Sequence, residues 1–131
     1  MSSVKEQIFQ YVKKTYGVEP DYPFPTAPEY PVLRHPDSRK WFALLMDVPR
    51  DRLGLAGNAR VDVINLKCSP AMAGSLRRQE GILPAYHMHR DSWITVLLDG
   101  TVPAEDIFPL IDISFSLTLS KSRKREEKKR A

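Results

Sequence analysis

Three groups of side chains in this 131-residue chain have types and spacing that can do chemistry. The first is a histidine pair. His87 and His89 alternate in an apolar stretch, so on a strand both imidazoles share a face. Such a pair can begin a zinc site, with His35 or Asp91 as a third ligand. Two positions supply too few ligands, so no metal is expected; the plainer reading is a structural His87 near a loop and an exposed His89. The second is Cys68, which ends an apolar run directly before a helix start. A helix dipole can lower a thiol pKa there and give a reactive thiolate. No histidine partner is identifiable, and a lone cysteine is more often a small buried apolar residue. The third group is Trp41 and Trp93, each heading an apolar run, with Lys40, Arg60 and Arg90 close in sequence to such runs. Indoles can stack bases while cations hold phosphates. Packing in the core, or against a proline-rich loop, is the plainer reading of both tryptophans. Asn65 and Asp112 lie inside apolar stretches and are expected to satisfy backbone groups rather than act as acids. The chain has no Gly-rich phosphate loop and no Ser/His/Asp arrangement. Neither an enzymatic reaction nor a cofactor is expected.

The elements that must position these groups are legible in outline. Ser3-Val4-Lys5-Glu6 has the spacing of a capping box. Val4, Ile8, Tyr11, Val12 and Thr15 follow at helical spacing, and Gly17 stops the helix. Residues 20–36 hold six prolines, which exclude a helix or a central strand. They read as an extended loop lying across the body, anchored by Tyr22, Phe24 and Tyr30. Residues 30–34 and 40–48 read as a strand hairpin turned at Pro36-Asp37-Ser38. Residues 60–68 read as a third strand; its alternation shifts phase between Val63 and Ile64, implying a bulge or burial on both faces. Ser69-Pro70 starts a second helix, with Ala71, Met72 and Leu76 inward, Arg77 and Arg78 in its last turn and Gly81 as its stop. Residues 82–88 and 92–98 read as two more strands, followed by an Asp99-Gly100 turn. Pro103 opens a last helix with a stripe of Ile107, Leu110, Ile111, Ser114, Phe115 and Thr118. Pro109 predicts a kink or a late start there. The order α-β-β-β-α-β-β-α gives an α+β class: a two-layer sandwich of a mainly antiparallel five-stranded sheet with helices packed on it.

Composition bounds the rest. The length fits one domain, assigned to residues 1–120. One cysteine excludes an internal disulfide framework. Runs without a charged residue stay under a dozen, so no transmembrane helix is expected, and the N-terminus lacks a signal-peptide core. These features predict a cytoplasmic protein. The formal net charge is +4, but residues 121–131 hold seven basic and two acidic groups. That leaves 13 basic and 14 acidic groups in residues 1–120, a net of −1. The basic character belongs to a tail predicted to be disordered, in which Lys121, Arg123, Lys124 and Arg125 can touch phosphates.

Residues 79–102, QEGILPAYHMHRDSWITVLLDGTV, carry a resemblance. Pro84, Tyr86, His87, Met88, Trp93, Leu98, Asp99, Gly100 and, conservatively, Thr101 match a Pro-x-Tyr-His-Met-Asn-Lys-x-His-Trp stretch followed by a strand and Leu-Asp-Gly-Ser. That pattern is similar to the MmcQ/YjbR family of small bacterial proteins. Lys40 to Ala43, Val61 to Cys68 and Leu110 to Phe115 resemble further family blocks in the same order. The resemblance implies a YjbR-like fold, grouped near frataxin-like (CyaY-like) and secretion-chaperone-like sandwiches, and a DNA-binding description without an established reaction. Three positions depart: His89 replaces the family's Asn, Arg90 its Lys and Ser92 its second His. Only the lysine's charge carries over, as Arg90.

Three functional readings follow. In the first, DNA binds weakly and mainly electrostatically through Lys40, Arg60, Arg77, Arg78, Arg90 and the tail. In the second, the strands WFALLM and WITVLL are apolar on both faces and leave a sheet face for a second copy or another protein. The third is a small-ligand site, which needs a concave pocket around Tyr86, His87 and Trp93.

Overall fold

The computed structural model describes residues 3–26 and 29–120. Helix α1 spans Val4–Tyr16; the Glu6 amide donates to Ser3 Oγ, and Gly17 closes the helix in a left-handed conformation. Strands β1 (Val32–Arg34) and β2 (Trp41–Pro49) form the first hairpin. A 3₁₀ turn at Arg50–Leu53 leads into β3 (Arg60–Lys67). Helix α2 (Pro70–Leu76) is capped by Ser69, whose hydroxyl accepts from Met72 N. Strands β4 (Ile82–Pro84) and β5 (Trp93–Leu97) precede helix α3 (Ala104–Leu117). The five strands form one open antiparallel sheet in the order β1-β2-β3-β5-β4. The predicted α+β class and element order are those observed.

One sheet face is covered by helices. Ile8 and Val12 of α1, with Ile107, Ile111 and Phe115 of α3, bury Leu45, Ile64, Leu66, Ile94 and Val96. Ser114 joins α3 to the sheet where β2 and β3 part: its hydroxyl donates to Phe42 O and accepts from Lys67 N at 2.8 Å. Those backbone groups lie just past the last ladder pair, Ala43 with Leu66, so the serine satisfies what the sheet leaves open.

The other face has its own apolar cluster of Val32, Leu44, Met46, Val48, Val61, Val63 and Leu97. No helix among the described residues covers it. Phe24, Tyr30, Leu53, Leu55 and Tyr86, all from loops and the 3₁₀ turn, pack over it instead. Among the described residues only Tyr22 and Leu117 are large hydrophobics left exposed. The strands are apolar on both faces because the chain covers both, so the free apolar sheet face required by the interaction reading is not present there.

Several local expectations change. The phase shift in β3 is burial on both faces: its registers with β2 and β5 run unbroken, and the irregularity lies at Leu33/Arg34 in β1. Tyr22 does not anchor the proline-rich loop and is 51% exposed. Phe24, edge-on to Trp41, and Tyr30, whose hydroxyl donates to Asp47 O, do. Ala73, not Ala71, is the buried alanine of α2. Helix α3 starts at Ala104 despite Pro109. The amide that Pro109 lacks would pair with Glu105 O, and both residues are exposed, so water can serve that carbonyl. The fourth strand stops at Pro84 and not at Met88. No helix among the described residues is long and apolar enough to cross a membrane.

Candidate functional site

Because β4 stops at Pro84, residues 85–92 form a loop folded over the second sheet face. A buried polar network holds it there. Asn65 on β3 and Thr95 on β5 face each other across the ladder, both fully buried. Thr95 Oγ1 donates to Asn65 Oδ1 at 2.6 Å. Asn65 Nδ2 donates to Tyr86 O, and Tyr86 N donates to Thr95 Oγ1, both at 2.8 Å. Both backbone polar groups of Tyr86 are thus satisfied by two core side chains. Burying such groups without partners is costly, so the loop and the network stabilise each other. Arg77 Nη1 adds a bond to Arg90 O at 2.9 Å, bracing the loop's far end.

Two adjoining depressions flank Tyr86. One, about 260 Å³, is lined by Arg52, Leu53, Gly54, Pro84, Ala85, Tyr86 and Arg90. The other, about 240 Å³, is lined by Tyr30, Met46, Val48, Pro49, Arg52, Arg60, Tyr86 and His87. Tyr86 and Arg52 belong to both. Neither lining contains a carboxylate. Arg52 and Arg90 are exposed on the rim. Arg60 is held by Asp47: Nε and Nη2 donate to its carboxylate at 3.1 Å, and Nη2 donates to its carbonyl at 2.9 Å. Those bonds hold the Asp47 carboxyl below the usual carboxylate range, against the opposing effect of burial. A larger depression, about 370 Å³, lies along α1 between Phe9 and Pro20, but its Lys13 and Glu19 neutralise each other in a 3.1 Å ion pair.

The sequence-predicted residues divide. Pro84, Tyr86, His87 and Arg90 meet at the cleft. His87 sits at φ 59° in the loop, its ring edge-on to Tyr86. His87 and His89 therefore do not alternate on a strand, and His35 is fully buried against Phe42 and Phe115. The described residues contain no group of three His, Cys, Asp or Glu placed to hold a metal. Met88 is half-buried in the loop. Trp93 is half-buried at the start of β5 beside Lys67 and lines neither depression. Trp41 packs on the second apolar cluster. Asp99 and Gly100 make a turn: Thr101 N donates to Asp99 Oδ1, and Gly100 adopts φ 96°, which favours glycine. Burial would raise the Asp99 pKa, but the Thr101 bonds and Arg50 outweigh it and hold it low. The Arg50–Asp99 pair, 3.6 Å apart, ties the 3₁₀ turn to the end of β5. Cys68 is buried, and burial pushes its thiol pKa up, opposite in direction to the lowering expected of a reactive thiolate. Asn65 serves the backbone as expected. Asp112 instead accepts from the Tyr11 and Tyr16 hydroxyls, joining α3 to α1.

The basic residues do not form one face. Lys40 precedes β2 and Arg60 pairs opposite Pro49 at its far end. At about 3.3 Å per residue, roughly 25–30 Å separates the two ends of that strand. Arg77 is spent on the loop carbonyl, and Arg78 is exposed beyond α2. Lys121, Arg123, Lys124 and Arg125 lie outside the described residues. Sequence reasoning missed Arg52. Its one signal is Pro49-Arg50-Asp51-Arg52-Leu53-Gly54, a cationic turn closed by a glycine.

The family model described as YjbR matches residues 13–117. The chain belongs to the YjbR family. An uncharacterized protein of Bacillus subtilis (strain 168) called YyaQ is 46% identical over 114 residues, covering 87% of this chain and 97% of that protein. A crystal structure of a Pseudomonas syringae protein is 49% identical with a TM-score of 0.85, covering 91% of this chain and all of that one. Deinococcus radiodurans protein DR2400, described by its family-model domain DUF419, has a TM-score of 0.69 at 25% identity, covering 96% of this chain and 88% of that one. The YjbR match spans the sheet, the Asn65–Thr95 network and every described residue of the cleft.

Proposed function

We propose that this YjbR-family protein binds DNA weakly and mainly electrostatically, with the Tyr86 cleft as the contact surface of the folded body. The observation that carries the reading is that Arg52 and Arg90, both exposed, line one depression whose lining holds no carboxylate. Guanidinium groups pair with phosphate oxygens in a fork geometry, and exposed ones retain their donors for a ligand. Lys40 and Arg78 lie outside both linings, so they belong to a diffuse field rather than to the contact. Residues 121–131 would add sequence-independent attraction. A cytoplasmic location goes with this reading.

Titrating the full chain with duplex and single-stranded DNA at two salt concentrations tests it. The two cleft arginines should contribute about −2 to the slope of log K against log salt on duplex, and residues 121–131 should steepen it further. Absence of binding at low salt would overturn the proposal. If deleting residues 121–131 leaves binding unchanged, the tail's share is removed and the cleft's remains.

A further inference from the structure

The cleft has two unlike halves, and the difference points to the shape of a ligand. The half between Pro84 and the 3₁₀ turn presents Arg52 and Arg90 beside small and backbone surface at Gly54 and Ala85. The half beyond Tyr86 has an apolar floor of Met46 and Val48 between two aromatic side chains, Tyr30 and Tyr86, with the His87 imidazole at its edge. The Tyr30 ring is held by its hydroxyl bond to Asp47 O, and the backbone that carries the Tyr86 ring is fixed by the Asn65–Thr95 network before a ligand arrives. The two halves, about 260 and 240 Å³, share Arg52 and Tyr86 in their linings, and each comes close to the ~300 Å³ lower bound usual for small-molecule sites.

We propose that the cleft is a site for a single nucleotide unit, its base in the Tyr30–Met46–Val48–Tyr86 half and its phosphate on Arg52 and Arg90. The inference deepens the DNA-binding proposal and rests on its assignment of these two arginines to phosphate. A flat ring satisfies the aromatic and apolar half in a sequence-tolerant way, because every base has a π-face. The bridging position of Arg52, common to both halves, suits a group carrying the ring and the anion about one sugar apart. Free mononucleotides and the end of a strand present the same chemistry.

Calorimetric titration of the full chain with deoxynucleoside 5′-monophosphates, deoxyadenosine and inorganic phosphate separates the contributions. The monophosphates should bind about tenfold or more tightly than either deoxyadenosine or phosphate alone, since each probe lacks one half of the contact. Arg52→Ala and Arg90→Ala should each weaken monophosphate binding about tenfold. Arg78→Ala, outside both linings, should change nothing. Monophosphates binding no better than inorganic phosphate would overturn the site. So would tight binding that survives the Arg52→Ala, Arg90→Ala pair. A short single strand with and without a 5′-phosphate then identifies the source: preference for the phosphorylated strand over the free nucleotide assigns a strand end, and the reverse assigns a free nucleotide. Duplex binding without monophosphate binding would remove this site and leave the DNA reading standing; monophosphate binding without DNA binding would do the opposite.

Discussion

The two faces of the sheet are covered by different means, and the proposed function sorts with the difference. The helix-covered face is sealed by side-chain stripes of α1 and α3 that meet the sheet through apolar contact, with Ser114 as a polar stitch. A helix satisfies its own backbone, so its coverage needs only a matching apolar face. The loop-covered face has no such economy. Every peptide group of residues 85–92 that approaches the sheet needs a partner, and Asn65 and Thr95 supply two from within the core. Loops also cover unevenly, which leaves the depressions beside Tyr86 and presents Arg52 and Arg90 at their rim.

Substitutions should separate the faces. Phe42 is fully buried, with its ring near those of His35, Tyr16 and Phe115. Phe42→Ala should have the largest effect, a loss of about 3–5 kcal/mol in urea unfolding. On the other face, Asn65→Ala leaves Tyr86 O and the Thr95 hydroxyl short of a partner and should cost about 2–3 kcal/mol. Unlike Phe42→Ala, it should also shift the amide resonances of residues 85–90 in the folded protein. A cycle with Thr95→Val should show coupling of about 1 kcal/mol or more, because the two side chains serve the same residue. Equal responses of residues 85–90 to Phe42→Ala and Asn65→Ala would break the distinction between the faces.

The helix-covered face has its own titration signature. Burial, reinforced by Asp112, pushes the Tyr11 pKa up to about 12 from an ordinary value of 10.0. The native state therefore keeps a proton that the unfolded chain releases first. Its contribution is complete below pH 10 and declines as pH rises from 10 towards 12. Tyr11→Phe should cost about 1.5 kcal/mol at neutral pH and flatten that alkaline decline, measured by unfolding across the range. The smallest stability effect belongs to the cleft rim. Arg52→Ala should lie within about 0.5 kcal/mol of the parent, since the guanidinium is exposed. The same change should lower the steepness of the duplex-DNA salt dependence by about 1.

Much of the helix-covered face was legible in the sequence. Ser3, Gly17, Ser69 and Pro70 mark helix ends through local capping chemistry, and the stripe from Ile107 to Thr118 needs only its period to be read. The site was legible only in part. Tyr86, His87 and Arg90 stood out through the family resemblance, but the short β4 did not, because Ala85 to Met88 alternates as a strand would. The tertiary bonds from Asn65 and Thr95 to the Tyr86 backbone, which hold that stretch as a loop, are not visible locally. Arg52 was missed because it lies some 30 positions before Tyr86, and nothing local says that the 3₁₀ turn packs beside it. The charge balance of −1 over residues 1–120 likewise hid a local cluster, since the average says nothing of where Arg52 and Arg90 converge.

The most direct test of the loop-covered face as the working face is an amide chemical-shift map of the full chain titrated with duplex DNA at low salt. The largest changes should fall at residues 50–54 and 84–90, weaken together as salt rises, and spare α1 and α3. Changes confined to residues 121–131, or centred on the helices, would contradict it.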